Sequence, residues 1–128
     1  MIIRIDTVST TPIYVQLRNE IVKGIGRGEL SEGECLPTVR QLSADLGVNS
    51  MTVSKAYQTL KAEGFIETDR RRGAVVRSGV QSGAQPDDRF REKLEGELEL
   101  LSAEAKIKGL GREEFIHLCS MAFAGMEG

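Results

Sequence analysis

The side chains that could do covalent or metal chemistry are few in this sequence and poorly placed for it. The one histidine, His117, has no Cys, Asp or second His at ligand spacing, and Cys35 and Cys119 lie far apart without metal or redox spacing. Ser and Thr nucleophiles are numerous, yet none has an identifiable base beside it. Gly24-Ile-Gly26-Arg-Gly28 has the glycine content of a phosphate loop, but it follows a helical pattern and lacks the P-loop lysine. These residues predict no enzyme, no metal site and no cofactor. Cys35 reads as a small, half-buried hydrophobe, with a redox switch as the alternative, and Cys119 as part of an apolar helix face.

The informative chemistry is cationic. Arg70, Arg71 and Arg72 fall together, followed by Gly73, where the flanking residues predict a turn. Three like charges with nothing to bury cost stability unless a polyanion answers them, and phosphates or a narrow minor groove would do so. Between Ser50 and Lys61 no acid occurs, while Ser50, Met51, Thr52, Ser54, Lys55 and Gln58 fall on the polar side of a helical pattern. Hydroxyls and amides can read base edges or hold phosphates, and Met51 can meet a thymine methyl. Net charge does not contradict this. The formal sum is −2, but residues 1–78 carry eleven Lys/Arg against nine Asp/Glu, and residues 79–128 six against ten. An acidic tail does not cancel a basic patch beyond a Debye length of about 8–10 Å.

Those residues need elements to hold them. Met1–Asp6 alternates enough to predict a short strand. Pro12 opens a helix in which Ile13, Leu17, Ile21 and Ile25 recur every four positions, with Tyr14 and Val22 widening the stripe. Thr38 and Gln41 have capping-box spacing at the start of a short second helix, whose stripe is Val39, Leu42 and Leu46 and whose stop is Gly47. Asn49 or Ser50 caps a third helix with Val53, Ala56, Tyr57 and Leu60 inside and Gly64 beyond its end. Phe65–Thr68 and Ala74–Arg77 predict two strands around Asp69–Gly73. Two helices joined through Gly47 and followed by a hairpin make a winged helix-turn-helix, whose second helix fits a DNA major groove.

The same residues resemble the GntR family of bacterial regulators. The resemblance is carried by Leu36-Pro37-Thr38-Val39-Arg40-Gln41-Leu42-Ser43, by Leu46-Gly47-Val48-Asn49-Ser50-Met51-Thr52-Val53, and by Ala56-Tyr57-Gln58-Thr59-Leu60-Lys61-Ala62-Glu63-Gly64-Phe65-Ile66. It extends back through Pro12-Ile13-Tyr14 and covers roughly residues 10–77. It implies that Arg40 contacts DNA from the start of the second helix, with similar roles for Asn49, Ser50, Met51, Thr52 and Lys55 around the third helix and for Gly73 in the wing. Two departures stand out. The family commonly has Ser-Arg at Asn49-Ser50, and Arg71 occupies the first glycine position of the usual Gly-x-Gly wing.

Ser78–Pro86 is rich in Ser, Gly and Gln and predicts a linker. Beyond it Phe90, Leu94, Leu98, Leu101 and Ala105 form one helical stripe. After the break at Gly109-Leu-Gly111, Phe115, Leu118, Cys119, Ala122, Phe123 and Met126 form another. A two-helix hairpin cannot bury stripes on both helices alone, so a partner surface is expected. A homodimer fits, because two-fold pairing would set two recognition helices about 34 Å apart, one DNA turn. The alternative is that these helices fold back on their own winged domain. A short helical tail also resembles the YtrA-like branch of the family, in which such helices form the dimer.

The expected organisation is therefore mainly α with a small β-hairpin wing: 1–77 a winged helix-turn-helix DNA-binding domain, 78–86 a linker, and 87–128 a two-helix dimerisation tail. No apolar run approaches the roughly 20 residues of a membrane span, and no signal layout opens the chain, so a cytoplasmic location is expected. The expected partners are double-stranded operator DNA and a second copy of the chain. The expected role is a sequence-specific transcription regulator, in particular a repressor at a palindromic operator. A small-molecule effector is left open. Two competing readings stay open at this level: a winged-helix module for protein partners, and an architectural DNA-binding protein with little sequence preference.

Overall fold

A computed structural model describes residues 3–77 and 88–127. They belong to two separate units, Met1–Gly83 and Ala84–Gly128. The expected linker at 78–86 lies outside the described residues.

The first unit holds α1 (Ile13–Gly26), α2 (Val39–Leu46), α3 (Ser50–Ala62), β1 (Ile66–Asp69) and β2 (Gly73–Val76). The four-residue spacing of α1 drives Leu17, Ile21 and Ile25 into the core, where they meet Val53, Ala56 and Leu60 of α3. Burying each such side chain contributes roughly 1.5–3 kcal/mol. Leu42 of α2, Tyr57 of α3, Ile66 and Val76 of the hairpin, and Leu30 and Leu36 from the segment between α1 and α2 complete this cluster. The Arg18 guanidinium grips Glu63 through two hydrogen bonds of 2.9 and 2.8 Å and lies 5.4 Å from the Phe65 ring centroid, tying α1 to the end of α3.

The turn between α2 and α3 sets the angle at which α3 is shown. Thr38 Oγ1 accepts from the Gln41 N–H, and the Gln41 side chain accepts from the Thr38 N–H, so the expected capping box is formed. Gly47 ends α2 at φ +67°, a left-handed conformation that costs a residue with a Cβ but not glycine. Ser43 Oγ donates to the Val48 carbonyl at 2.7 Å, and Asn49, rather than Ser50, caps α3 by accepting from the Met51 N–H at 2.7 Å.

Two expectations are corrected here. Residues 3–6 form no strand. Ile3 and Ile5 do pack on the core, as their alternation implies, but among the described residues no neighbouring strand offers them a ladder. One side chain serves instead: the Gln16 amide accepts from the Asp6 N–H and donates to the Asp6 and Thr11 carbonyls. Cys35 is exposed, not half-buried, because its segment runs along the free side of β2. Residues 33–36, which carry no strand signal, bond β2 through Gly33 N–H to the Val76 carbonyl (2.9 Å), Val76 N–H to the Glu34 carbonyl (2.9 Å) and Leu36 N–H to the Ala74 carbonyl (2.8 Å). β1 covers the other side in antiparallel register, with Thr68 opposite Ala74.

Tyr57 yields a stability test. Its ring is buried and its hydroxyl donates to the Pro37 carbonyl at 2.6 Å, holding the entry to α2 against α3. Burial pushes the phenol from 10 up to about 12, since phenolate would lose its hydration. The folded state thus holds the proton more tightly than the unfolded chain. The stabilisation is complete below about pH 10 and is lost as pH rises towards 12. Tyr57→Phe is expected to cost about 1–2 kcal/mol at neutral pH, by stranding the carbonyl, and to flatten the decline above pH 10. Urea unfolding across that range measures both effects.

The second unit holds α4 (Asp88–Ile107) and α5 (Arg112–Glu127). Gly109, at φ +88°, closes α4 with its N–H donating to the Lys106 carbonyl, and Leu110 N–H donates to that of Ala105.

Candidate nucleic-acid interface

α3 turns Val53, Ala56, Tyr57 and Leu60 inward, which leaves Ser50, Met51, Lys55, Gln58 and Lys61 exposed and Thr52 and Ser54 half-buried. The helix carries two lysines and no acid, so nothing on it repels a phosphate. Met51 is 77% exposed at the first turn, where its thioether adds nothing to the core. Met51, Thr52, Ser54, Lys55 and Gln58 line an open groove of about 540 Å³ whose remaining wall is Tyr14 from α1. Hydroxyls, an amide, an ammonium and an apolar tip can together address phosphates, base edges and a thymine methyl.

Of the residues expected at this interface, the groove gathers Met51, Thr52 and Lys55. Asn49 and Ser50 sit just before it, both exposed, with the Asn49 side-chain Oδ1 engaged in capping. Arg40 is the second residue of α2 and is exposed, with no ion-pair partner among the described residues. Gln58 is exposed, as expected of the polar helix side, whereas Ser54, like Thr52, is half-buried. Tyr14 is the residue the sequence pattern hides: its spacing of three and seven to Leu17 and Ile21 marks it as the edge of a core stripe, and only the packing of α1 against α3 brings its ring to the groove.

The hairpin tip does not use its three arginines alike. Asp69 Oδ1 accepts from the backbone N–H groups of Arg71 (2.8 Å) and Arg72 (3.1 Å), which sets the turn. Those two N–H groups, Arg71's first, hold the Asp69 carboxyl below its usual range, so it stays charged. The Arg72 guanidinium folds back, donating to the Gly33 carbonyl at 2.9 Å and pairing with Asp69 Oδ2 at 3.3 Å. Arg72 therefore fastens the wing to residues 33–36. Arg70 and Arg71 are exposed, with no side-chain ion pair among the described residues. Gly73 begins β2 at φ +82° with open space where a Cβ would stand, so conformation rather than crowding calls for glycine there.

In the second unit neither α4 nor α5 buries any residue. Phe90, Leu94, Leu98 and Leu101 are exposed along α4, as are Leu118, Cys119, Ala122 and Phe123 along α5, and Phe115 is half-buried at the corner with Ala105 and Leu110. Leu100, Ile107, Ile116 and Met121 are exposed as well, so apolar surface extends beyond the two expected stripes. Among the described residues no helix is long and apolar enough to cross a membrane, and no group of three or more His, Cys, Asp and Glu could hold a metal ion.

Residues 11–76 match the sequence profile of the bacterial regulatory proteins, gntR family. The HTH-type transcriptional repressor YtrA of Bacillus subtilis is 40% identical over 80 residues, which cover 62% of this chain and 62% of that protein. The HTH-type transcriptional regulator Rv1152 of Mycobacterium tuberculosis is 38% identical over 74 residues, 58% of this chain and 61% of that one. The chain thus spans about three fifths of the length of these curated relatives. Among solved structures, a transcriptional antiterminator from Listeria monocytogenes EGD-e superposes over 100% of this chain and 94% of its own, with TM-score 0.89 and 27% identity. YtrA from Sulfolobus acidocaldarius, a GntR-family transcription factor, is 41% identical with TM-score 0.67 over 80% of this chain and 99% of its own. The AraR DNA-binding domain in complex with operator ORR3 matches 57% of this chain and 88% of its own, with TM-score 0.50 and 26% identity.

Proposed function

This chain belongs to the gntR family of bacterial regulatory proteins, and from that premise we propose that it is a DNA-binding transcription regulator that holds a palindromic operator as a homodimer and represses the promoter beneath it. The observation that carries the reading is the acid-free, groove-lining face of α3, with Met51 and Lys55 standing outside the core they have no part in. α3 enters the major groove and supplies sequence choice. Arg70 and Arg71 at the wing tip supply salt-dependent affinity, and Arg72 fixes the wing's path. The tail helices, exposed along both apolar stripes, pair with those of a second copy. The printed name of the Bacillus relative, a repressor, and the operator complex of the AraR domain support the same direction. A regulator of this kind works on chromosomal DNA, in the cytoplasm.

Selection of bound fragments from random DNA, followed by a salt titration of the winning site, tests the reading. The expected result is a palindrome with half-sites about ten base pairs apart and an affinity that falls steeply with salt. Salt-sensitive binding without enrichment would make the protein architectural. No binding at low salt would assign the winged helix to a protein partner. On the selected operator, Arg40→Ala is expected to lose on the order of 1–3 kcal/mol of affinity, because Arg40 stands exposed in the first turn of α2 with no ion-pair partner among the described residues. Unchanged binding would remove it from the interface.

A further inference from the structure

Tyr14 is the second residue of α1, half-buried and packed at the edge of the core. Lys55 Nζ of α3 stands 4.2 Å from the centroid of its ring. An ammonium within about 6 Å of an aromatic face is attracted by the ring quadrupole. The nature of that anchor matters. A carboxylate would hold Lys55 as firmly but would neutralise it, whereas a ring restrains the side chain and leaves its full charge on display. α3 itself offers no acid that could compete for the ammonium. Lysine carries a long flexible stem, and freedom surrendered before DNA arrives need not be surrendered on binding. The contact also draws Lys55 towards α1, to the side of the recognition helix and away from its outermost line. At the side of a helix lying in the major groove stand the phosphates of the flanking backbone.

We propose that Tyr14 is a positioning residue for DNA binding, its ring holding the Lys55 ammonium, still fully charged, where a backbone phosphate passes. The inference rests on the DNA-binding reading above and adds a member of α1 to the interface.

The test is a double-mutant cycle on the selected operator. Lys55→Met should weaken binding evenly across operator variants and reduce the salt slope by about one. Tyr14→Leu should lose roughly fivefold in affinity, and Tyr14→Phe, which keeps the ring, should bind as the parent does. The pair Tyr14→Leu with Lys55→Met should bind no worse than Lys55→Met alone. A Tyr14→Leu loss that persists undiminished without Lys55 would overturn the proposal, as would a Tyr14→Phe variant as weak as Tyr14→Leu, which would credit the hydroxyl. Thermal unfolding of each variant checks folding. Should Tyr14→Leu fail to fold, the free parent chain supplies the second measurement: the Lys55 ε-methylene protons should show an upfield ring-current shift by NMR, and its absence overturns the proposal. Failure of the parent chain to bind DNA at low salt sinks the regulator reading itself. Binding by the parent with additive variants sinks only the role of Tyr14.

Discussion

Leu60→Ala is expected to lower the stability of the first unit by about 2–5 kcal/mol, the range for deleting a buried leucine side chain. Leu60 is completely buried and belongs to the helix that packs against α1, α2 and β1, so the space left behind has walls that cannot all close in. Small domains are typically stable by about 5–15 kcal/mol, so the loss removes a large share of the total. Urea unfolding of parent and variant at neutral pH measures it as a shift in midpoint at constant slope. Operator affinity should remain close to the parent's in whatever fraction stays folded, because Leu60 faces away from the groove. Met51→Ala is the matching control: at 77% exposure it should leave the midpoint in place while changing DNA binding. A Leu60→Ala loss below about 1 kcal/mol would mean that α3 is not the central packing element.

The second large effect belongs to the tail. On the homodimer proposed above, Leu98→Asp is expected to yield monomers and to weaken operator binding by about 10²–10⁴-fold, the range by which linking two binding modules exceeds one alone. Leu98 lies in the middle of the α4 stripe between Leu94 and Leu101, and all three side chains are exposed in the single chain. A helix of this length is about 30 Å long, enough for a continuous seam with a second copy. A carboxylate in the centre of that seam would be stripped of water without a partner, a cost the remaining apolar contacts do not offset. Light scattering reports the oligomeric state and titration with full and half operators reports affinity. The full operator should lose most of its advantage while half-site affinity stays unchanged. A surviving dimer would place the interface elsewhere. A monomer that still binds the full operator tightly would separate dimerisation from recognition.

The two effects differ in how far the sequence already contained them. The inward residues of α1 and α3, the capping box of Thr38 and Gln41, the stop at Gly47 and the hairpin around Asp69–Gly73 could all be read directly, because each is a relation among residues a few positions apart. Periodicity selects the buried face, a cap needs only its own first turn, and a left-handed glycine only its own dihedrals. The acid-free face of α3 was legible for the same reason. The strand expected at Met1–Asp6 is not formed over residues 3–6, because alternation reports which face packs and not whether another strand is there to receive the hydrogen bonds.

Tertiary structure decided what each exposed side chain does. Arg70, Arg71 and Arg72 are equivalent in sequence, yet Arg72 alone is turned inward, because the Gly33 carbonyl waits for it across the free side of β2. Tyr14 has the spacing of a core residue and becomes the platform for Lys55, because α1 crosses α3 near that position. Cys35 is exposed because its short segment pairs with an edge that no local pattern announces. In each case the deciding neighbour is far away in sequence. Local energetics fix which elements form and which face each one buries, while the direction and partner of an exposed polar side chain depend on which distant backbone and ring the packing brings within reach.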